Sequence, residues 1–314
     1  MRFLTRPLLA AASTAVCGCL ALSACGTNPP QAEGAADASG KSGKVAAMAE
    51  DKALHALLPK KNRASGRLVS VNNGSFPPYE IAGSDGHSLT GAAADLAVSL
   101  GQVLGVKVDH VTADGLPSAL TGIAAGRYDL ALGPIGDFKD RQRSNDFVDW
   151  VREFVVFAVP KGNPHHITSL AATCGQRIAV MAGGSAEGVI KKQSATCRKD
   201  GKKAVTVQSY KDQPGSILAV RSGRADAFFS SRAPLTYFVS QAKGELELAG
   251  TDQANGFEDL YQGAVVGKNS PLRDVLHKAL KKLMDNGTYT KIMKKWGLSA
   301  NTLDKPGINL GGES

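Results

Sequence analysis

Residues 93–111 read AADLAVSLGQVLGVKVDHV, and the change of period inside this stretch decides the fold class. Leu96, Leu100 and Leu104 recur at the spacing of one helix face. After Gly105 the pattern changes, and Val106 to Val111 reads as a strand. Working outward, Leu68-Val69-Ser70-Val71 is a strand. Leu116 to Ala125 is a helix stopped by Gly126, and Tyr128 to Leu132 is a buried strand. Strand, helix, strand, helix, strand in this order calls for a mainly parallel sheet covered by helices, an α/β architecture.

A second set follows. Phe154 to Val159 is a long strand ended by Pro160. Arg177 to Val180, Ala204 to Val207 and Ala225 to Phe229 are further strands, with helices around Ile217 to Val220 and Leu235 to Gln241. The chain then returns through Tyr261 to Val266. Leu272, Val275, Leu276, Ala279, Leu280 and Leu283 form one apolar helix face after Ser270-Pro271. The second α/β unit is therefore inserted into the first. The expected lobes are 61–157 with 262–314, and 158–261, joined by a two-strand hinge. A cleft between such lobes is where a ligand is expected.

The N-terminus reads differently. Arg2 and Arg6 precede an apolar run from Leu8 to Leu22, the pattern of a secretory signal over residues 1–24. The run ends in Leu22-Ser23-Ala24-Cys25, which matches the site cut by lipoprotein signal peptidase and makes Cys25 the lipidated first residue. Residues 25–60 are then expected to tether the body to the membrane, rich in Ala, Gly, Ser and Pro at first, with a short helical piece near Glu50 to Leu58.

Two arginines and no acids leave with residues 1–24, so the net charge falls from +9 to +7. The excess sits in short clusters such as Lys191-Lys192, which suit an anionic surface and not a nucleic-acid partner. Cys17 and Cys19 also leave, and Cys25 carries lipid. Cys174 and Cys197 remain as a pair in an oxidising compartment, and a disulfide is the expected outcome. A metal or redox pair is the rival, but the spacing is wrong for Cys-x-x-Cys.

The order of several weak motifs is more specific than any one of them. Phe76-Pro77-Pro78-Tyr79-Glu80 is followed by Thr90-Gly91, Asp95-Leu96, Tyr128-Asp129-Leu130-Ala131 and Asp140-Arg141. Gly223-Arg224-Ala225-Asp226-Ala227 and Asn286-Gly287 to Trp296-Gly297 come after them. From Arg67 to Trp296 the chain resembles the extracellular solute-binding proteins of family 3, the amino-acid-type receptors of ABC importers. The resemblance implies a type II periplasmic-binding-protein fold and permease and ATPase partners; a monomer without cofactor or metal is expected, since no nucleophile triad, phosphate loop or metal cluster stands out in the sequence.

The resemblance also places a site. Phe76 falls where the family has an aromatic wall, and Arg141 where it grips the ligand's carboxylate, a task suited to a planar guanidinium fork. Gly133, Pro134 and Gly136 occupy a ligand-facing loop, and Gly183, Gly184 and Ser185 open a helix in the second lobe. Ser231 stands where the family supplies an Asp for the ligand's ammonium, and Asn73 at another often acidic position. An ammonium without a counter-charge is costly to bury. The expected ligand therefore has a carboxylate but not a free α-amino acid headgroup. The alternatives are a cyclohexadienyl-dehydratase-like enzyme, with Glu187 or Asp137 as its acid, and a sensor ectodomain.

Overall fold

The computed structural model describes residues 47–85 and 88–313. The signal segment, Cys25 and the tether up to residue 46 lie outside the described residues. Two short helices come first, α1 (Lys52–Leu57) and α2 (Lys60–Ser65). The Asp51 carboxylate caps α1 by accepting from the Ala53 and Leu54 N–H groups, and it pairs with Lys282. Leu54 and Leu58 are buried in the first lobe's core, and the Met48 N–H donates to Gln102. Residues 48–60, expected to belong to the tether, instead pack on the first lobe, because two leucines four residues apart give this segment an apolar face to bury.

In the first lobe, β1 (Arg67–Asn72) leads into three short strands, β2 (Ser75–Phe76), β3 (Glu80–Ala82) and β4 (Leu89–Thr90). The alternation continues with α3 (Ala92–Leu104), β5 (Lys107–Thr112), α4 (Leu116–Ala124) and β6 (Ala131–Gly136). β1 pairs with β5 in parallel, and Ser70 bridges Leu130 in the same sense, so β6 joins the same layer. The next strand, β7 (Asn145–Glu153), is almost wholly buried. Its polar residues hid it in the sequence. Their partners come from distant segments: Asp146 meets Lys268 at 2.8 Å, and Arg273 lies beside it.

At Phe154 the chain leaves this sheet. The second sheet contains β8 (Val155–Pro160), β9 (Arg177–Met181), β10 (Thr206–Tyr210), β11 (Ala227–Ser231) and β12 (Leu246–Ala249). Their order is β10-β9-β11-β8-β12, with β9 parallel to β10 and β11 and with β8 antiparallel to β11 and β12. Residues alternate between its faces. Val155, Phe157 and Val159 pack with Ile190 of α5 (Ser185–Lys199). Val156 and Ala158 pack with Ile217 of α6 (Gln213–Arg221) and Leu235 of α7 (Arg232–Gln241). Cys174 and Cys197 form a disulfide, with Cα atoms 5.6 Å apart, that ties α5 to the loop before β9.

The chain returns through β13 (Leu260–Gly267), α8 (Leu272–Asp285), α9 (Thr288–Lys295) and β14 (Thr302–Ile308). The six apolar residues expected on one face of α8 are all buried. β14, which carries no local strand signal, closes the edge of a β14-β7-β13-β6 sheet. Leu260 pairs with Glu153, so the two passages between lobes run side by side.

A carboxyl group sits at that crossing. Glu153 is buried, and it accepts from the Tyr79 hydroxyl at 2.5 Å and from the Phe154 N–H at 3.3 Å. Burial pushes it from 4.5 up to about 7, against the opposing pull of these donors. Between those values the folded chain holds a proton that the unfolded chain has released. The favourable contribution is complete below pH 4.5 and is lost as pH rises through 7. Urea unfolding of wild type and Glu153→Gln should diverge across this window. Wild type should lose on the order of 3 kcal/mol relative to the variant between pH 4.5 and 7.5.

Candidate ligand cleft

A cleft of about 700 Å³, open mouth included, lies between the two sheets. The first lobe contributes Asn73, Phe76, Glu80, Gly133, Pro134, Gly136 and Arg141 to its lining. The second lobe contributes Met181, Gly184, Ser185, Gln213, Ser230 and Ser231, and Gln262 comes from β13 beside the crossing. Of the ten ligand-site residues expected from sequence, all but Gly183 line the cleft.

Arg141 follows β6 in a short helical turn. Its Nη1 donates to the Gly136 carbonyl at 2.7 Å, and its Nη2 to the Gly183 carbonyl, across the cleft, at 2.8 Å. The guanidinium also lies over the Phe138 ring, 5.4 Å from its centroid. Two of its five N–H donors are thereby used. Its loop is held from behind by the C-terminal segment. The Gly311 N–H donates to Asp137 at 2.7 Å, and the Lys139 N–H to the Gly312 carbonyl at 3.0 Å.

Gly183 is the correction. Its N–H, expected to face an anion, donates instead to Glu187 at 2.7 Å, and its carbonyl receives Arg141. Its φ is +70°, and a Cβ there would come within 2.7 Å of Pro117 in the opposite lobe. Gly183 is thus a point where the lobes touch. Asp114 and Lys211 form an ion pair across the same gap. Together these contacts define a closed arrangement.

Phe76 stacks on Tyr79 with ring centroids 5.6 Å apart, and so stands as a fixed wall. Asn73 uses its carbonyl oxygen on the Ser75 N–H and hydroxyl, and turns its amide toward Met181. At the position of the missing acid, the Ser231 hydroxyl accepts from Gln262 Nε2 at 3.4 Å. Gln262 Oε1 and Gln213 Nε2 are buried without a hydrogen-bond partner among the described residues. They are an acceptor and a donor open to a ligand. Gln262 could have been suspected from sequence, as a lone amide in the apolar run Leu260 to Val266.

The residue missed altogether is Glu80. It is 6% exposed and lines the cleft. Burial alone drives its carboxyl from 4.5 up to about 8. It lies so close over Gly133 that a Cβ built there would meet Oε1 at 2.0 Å. The two acids considered for catalysis are occupied elsewhere. Glu187 binds Gly183, Ser209 and Lys191, which hold it below the usual carboxylate range. Asp137 binds Gly311 and Gln142. Neither lines the cleft.

Two lobes, a double crossing and a polar cleft between them define a ligand-closing receptor. Residues 68–299 match the bacterial extracellular solute-binding proteins, family 3, and the chain belongs to that family. It is an extracytoplasmic solute-binding protein of an ABC importer, with no catalytic role. It is 28% identical over 261 residues to the arginine-binding protein ArgT of Corynebacterium glutamicum, covering 82% of each chain. It is 24% identical to the L-cystine-binding protein TcyJ of Escherichia coli, covering 76% of this chain and 85% of that one. An ancestral arginine-binding protein, solved with arginine, superimposes with a TM-score of 0.66 at 28% identity, over 74% of this chain and 98% of the other.

The fit of Glu80 over Gly133 leads to a testable coupling. Gly133→Ala should destabilise the protein by about 1–3 kcal/mol through overpacking. Glu80→Ala in the same chain should recover most of that loss, because the clashing group is gone. A double-mutant cycle by urea unfolding measures the coupling.

Proposed function

We propose that the cleft captures an amino acid or a close derivative, holds its carboxylate on Arg141, and presents the closed complex to an importer's permease and ATPase subunits. The observation that carries this reading is the Arg141 guanidinium, which lines the cleft and already touches both lobes. A ligand carboxylate reaching its remaining N–H groups would add charge-assisted bonds that exist only when the lobes are together. Ligand would then shift the protein toward the closed state. Phe76 would cover the ligand from one side. Ser185, at the N-terminus of α5, would offer a polar edge from the other.

The similar proteins named for arginine and L-cystine support an amino-acid ligand. Against a free α-amino acid headgroup stand Ser231 and Asn73 in place of acids, with Arg141 present and Arg232 adjacent. Gln262 Oε1 and the Ser231 hydroxyl are neutral acceptors at the position in question, and they weaken that argument. Binding at the membrane would follow from lipid on Cys25, with residues 25–47 as the tether and the two lobes closing about the crossings near Phe154 and Leu260. Firm anchoring is what several acyl chains would provide, at about 0.8 kcal/mol per buried methylene.

Calorimetric titration of the full chain with the common L-amino acids and with small organic acids tests the site. At least one should bind, and Arg141→Ala should weaken it by about 2–4 kcal/mol, with Arg141→Lys recovering only part. Undiminished binding by Arg141→Ala overturns the reading. Cys25→Ser should move the protein from the membrane fraction to the soluble fraction of the expressing cells.

A further inference from the structure

The family match ends at residue 299, and the chain continues beyond it through β14 into a short strap, residues 309–312. The strap crosses from β7 to the loop that carries Arg141. It is fixed first on β7. The Asn309 side chain accepts from the Phe147 N–H at 2.8 Å and donates to Asp146 at 3.1 Å, and the Leu310 N–H donates to Asp149 at 3.1 Å. Its next two residues meet the loop. The Gly311 N–H donates to Asp137 at 2.7 Å, and the Gly311 carbonyl accepts from Gln142 at 3.2 Å. The Gly312 carbonyl accepts from the Lys139 N–H at 3.0 Å. Gln142 also donates to Asp137, at 2.8 Å, so the bonded groups bracket Arg141 in the chain. Among the described residues, the loop backbone is otherwise tied at its two ends and within its own turn. The Asp137 N–H donates to the Tyr261 carbonyl at one end, and the Lys268 N–H to the Ser144 carbonyl at the other. The fit has no space for a side chain at Gly311, where a Cβ would lie 2.0 Å from the Asp137 carbonyl oxygen.

Resting on the proposed role of Arg141 in holding a carboxylate, we infer that residues 309–312 are a positioning strap for ligand capture: docked on Asp137 and Lys139, they hold the loop so that the guanidinium is set in the cleft before the ligand arrives. No strap residue lines the cleft, so the strap acts on affinity through Arg141. The physical effect is preorganisation. A guanidinium on a fixed loop loses little conformational freedom on binding, whereas a loosened loop must be ordered at that moment, and the cost appears as lost affinity. Linkage requires the reverse effect. A carboxylate bound at Arg141 steadies the loop and so tightens the strap.

The test is calorimetry with L-arginine, L-glutamine, L-cystine and succinate, continued with whichever binds wild type most tightly. Two changes are made, deletion from Asn309 onward and Gly311→Val, each in the wild-type chain and again beside Arg141→Ala, with urea unfolding to follow the fold. Each should weaken binding by about fivefold or more in the wild-type chain, and by less than about twofold once Arg141 is replaced. A strap that only stabilised the fold would cost the same in both chains. That result overturns the inference, as does unchanged affinity in the otherwise wild-type chain, and in both cases Arg141 still stands as the carboxylate site. Should Arg141→Ala by itself leave binding undiminished, or wild type bind none of the four, the carboxylate site falls and the inference with it. Where a strap variant does not fold, or Arg141→Ala binds too weakly to measure, amide hydrogen exchange on wild type decides. Saturating ligand should slow exchange at Lys139 and Gly311 by about threefold or more, and unchanged exchange at both overturns the inference.

Discussion

The Arg141 guanidinium donates to a carbonyl on each side of the cleft, Gly136 in one lobe and Gly183 in the other. Almost everything around the site serves that placement. β6 delivers the loop, the C-terminal segment after β14 holds it from behind, and Glu187 fixes the Gly183 N–H so that the carbonyl faces across the gap. A charged group at a lobe boundary gives the closed state a polar contact that depends on the separation of the lobes. Non-directional apolar burial would hold them together whether or not a ligand lay between them.

The crossing has its own chemistry. Glu153 ends β7, one residue before the chain enters the second lobe, and its carboxyl holds Tyr79 in the first lobe. Tyr79 in turn backs Phe76, the wall of the cleft, and immediately precedes Glu80. A buried carboxyl at the hinge and another in the cleft are thus connected through one tyrosine and a stacked ring. Both are raised by burial, and both are placed on the lobe that carries Arg141. The crossing and the binding wall are parts of one packed unit.

Much of the scaffold was legible along the chain. The change from helical to strand period at Gly105, the apolar face from Leu272 to Leu283 and the Cys174–Cys197 pair all appear as read. β7 and β14 were not legible. β7 buries Asp146 and Asp149, whose partners Lys268 and Leu310 lie more than a hundred residues away. No local pattern could mark that strand as buried. β14 sits on a sheet edge and carries a lysine and a proline, the residues expected at edges and in loops alike.

The sequence by itself determined the two α/β units and the disulfide, because these rest on local period and simple counting, while Arg141 at the cleft followed from the resemblance to the family. Only the tertiary structure decided which backbone groups were free. Gly183 has a spent N–H, and Glu80, one letter after a familiar aromatic, is a carboxyl without a partner among the described residues, above a glycine 53 positions away in the chain. The physical reason is that hydrogen-bond satisfaction and desolvation depend on what surrounds a group in space. Chain neighbours fix the residue's chemistry, but not whether that chemistry is already used.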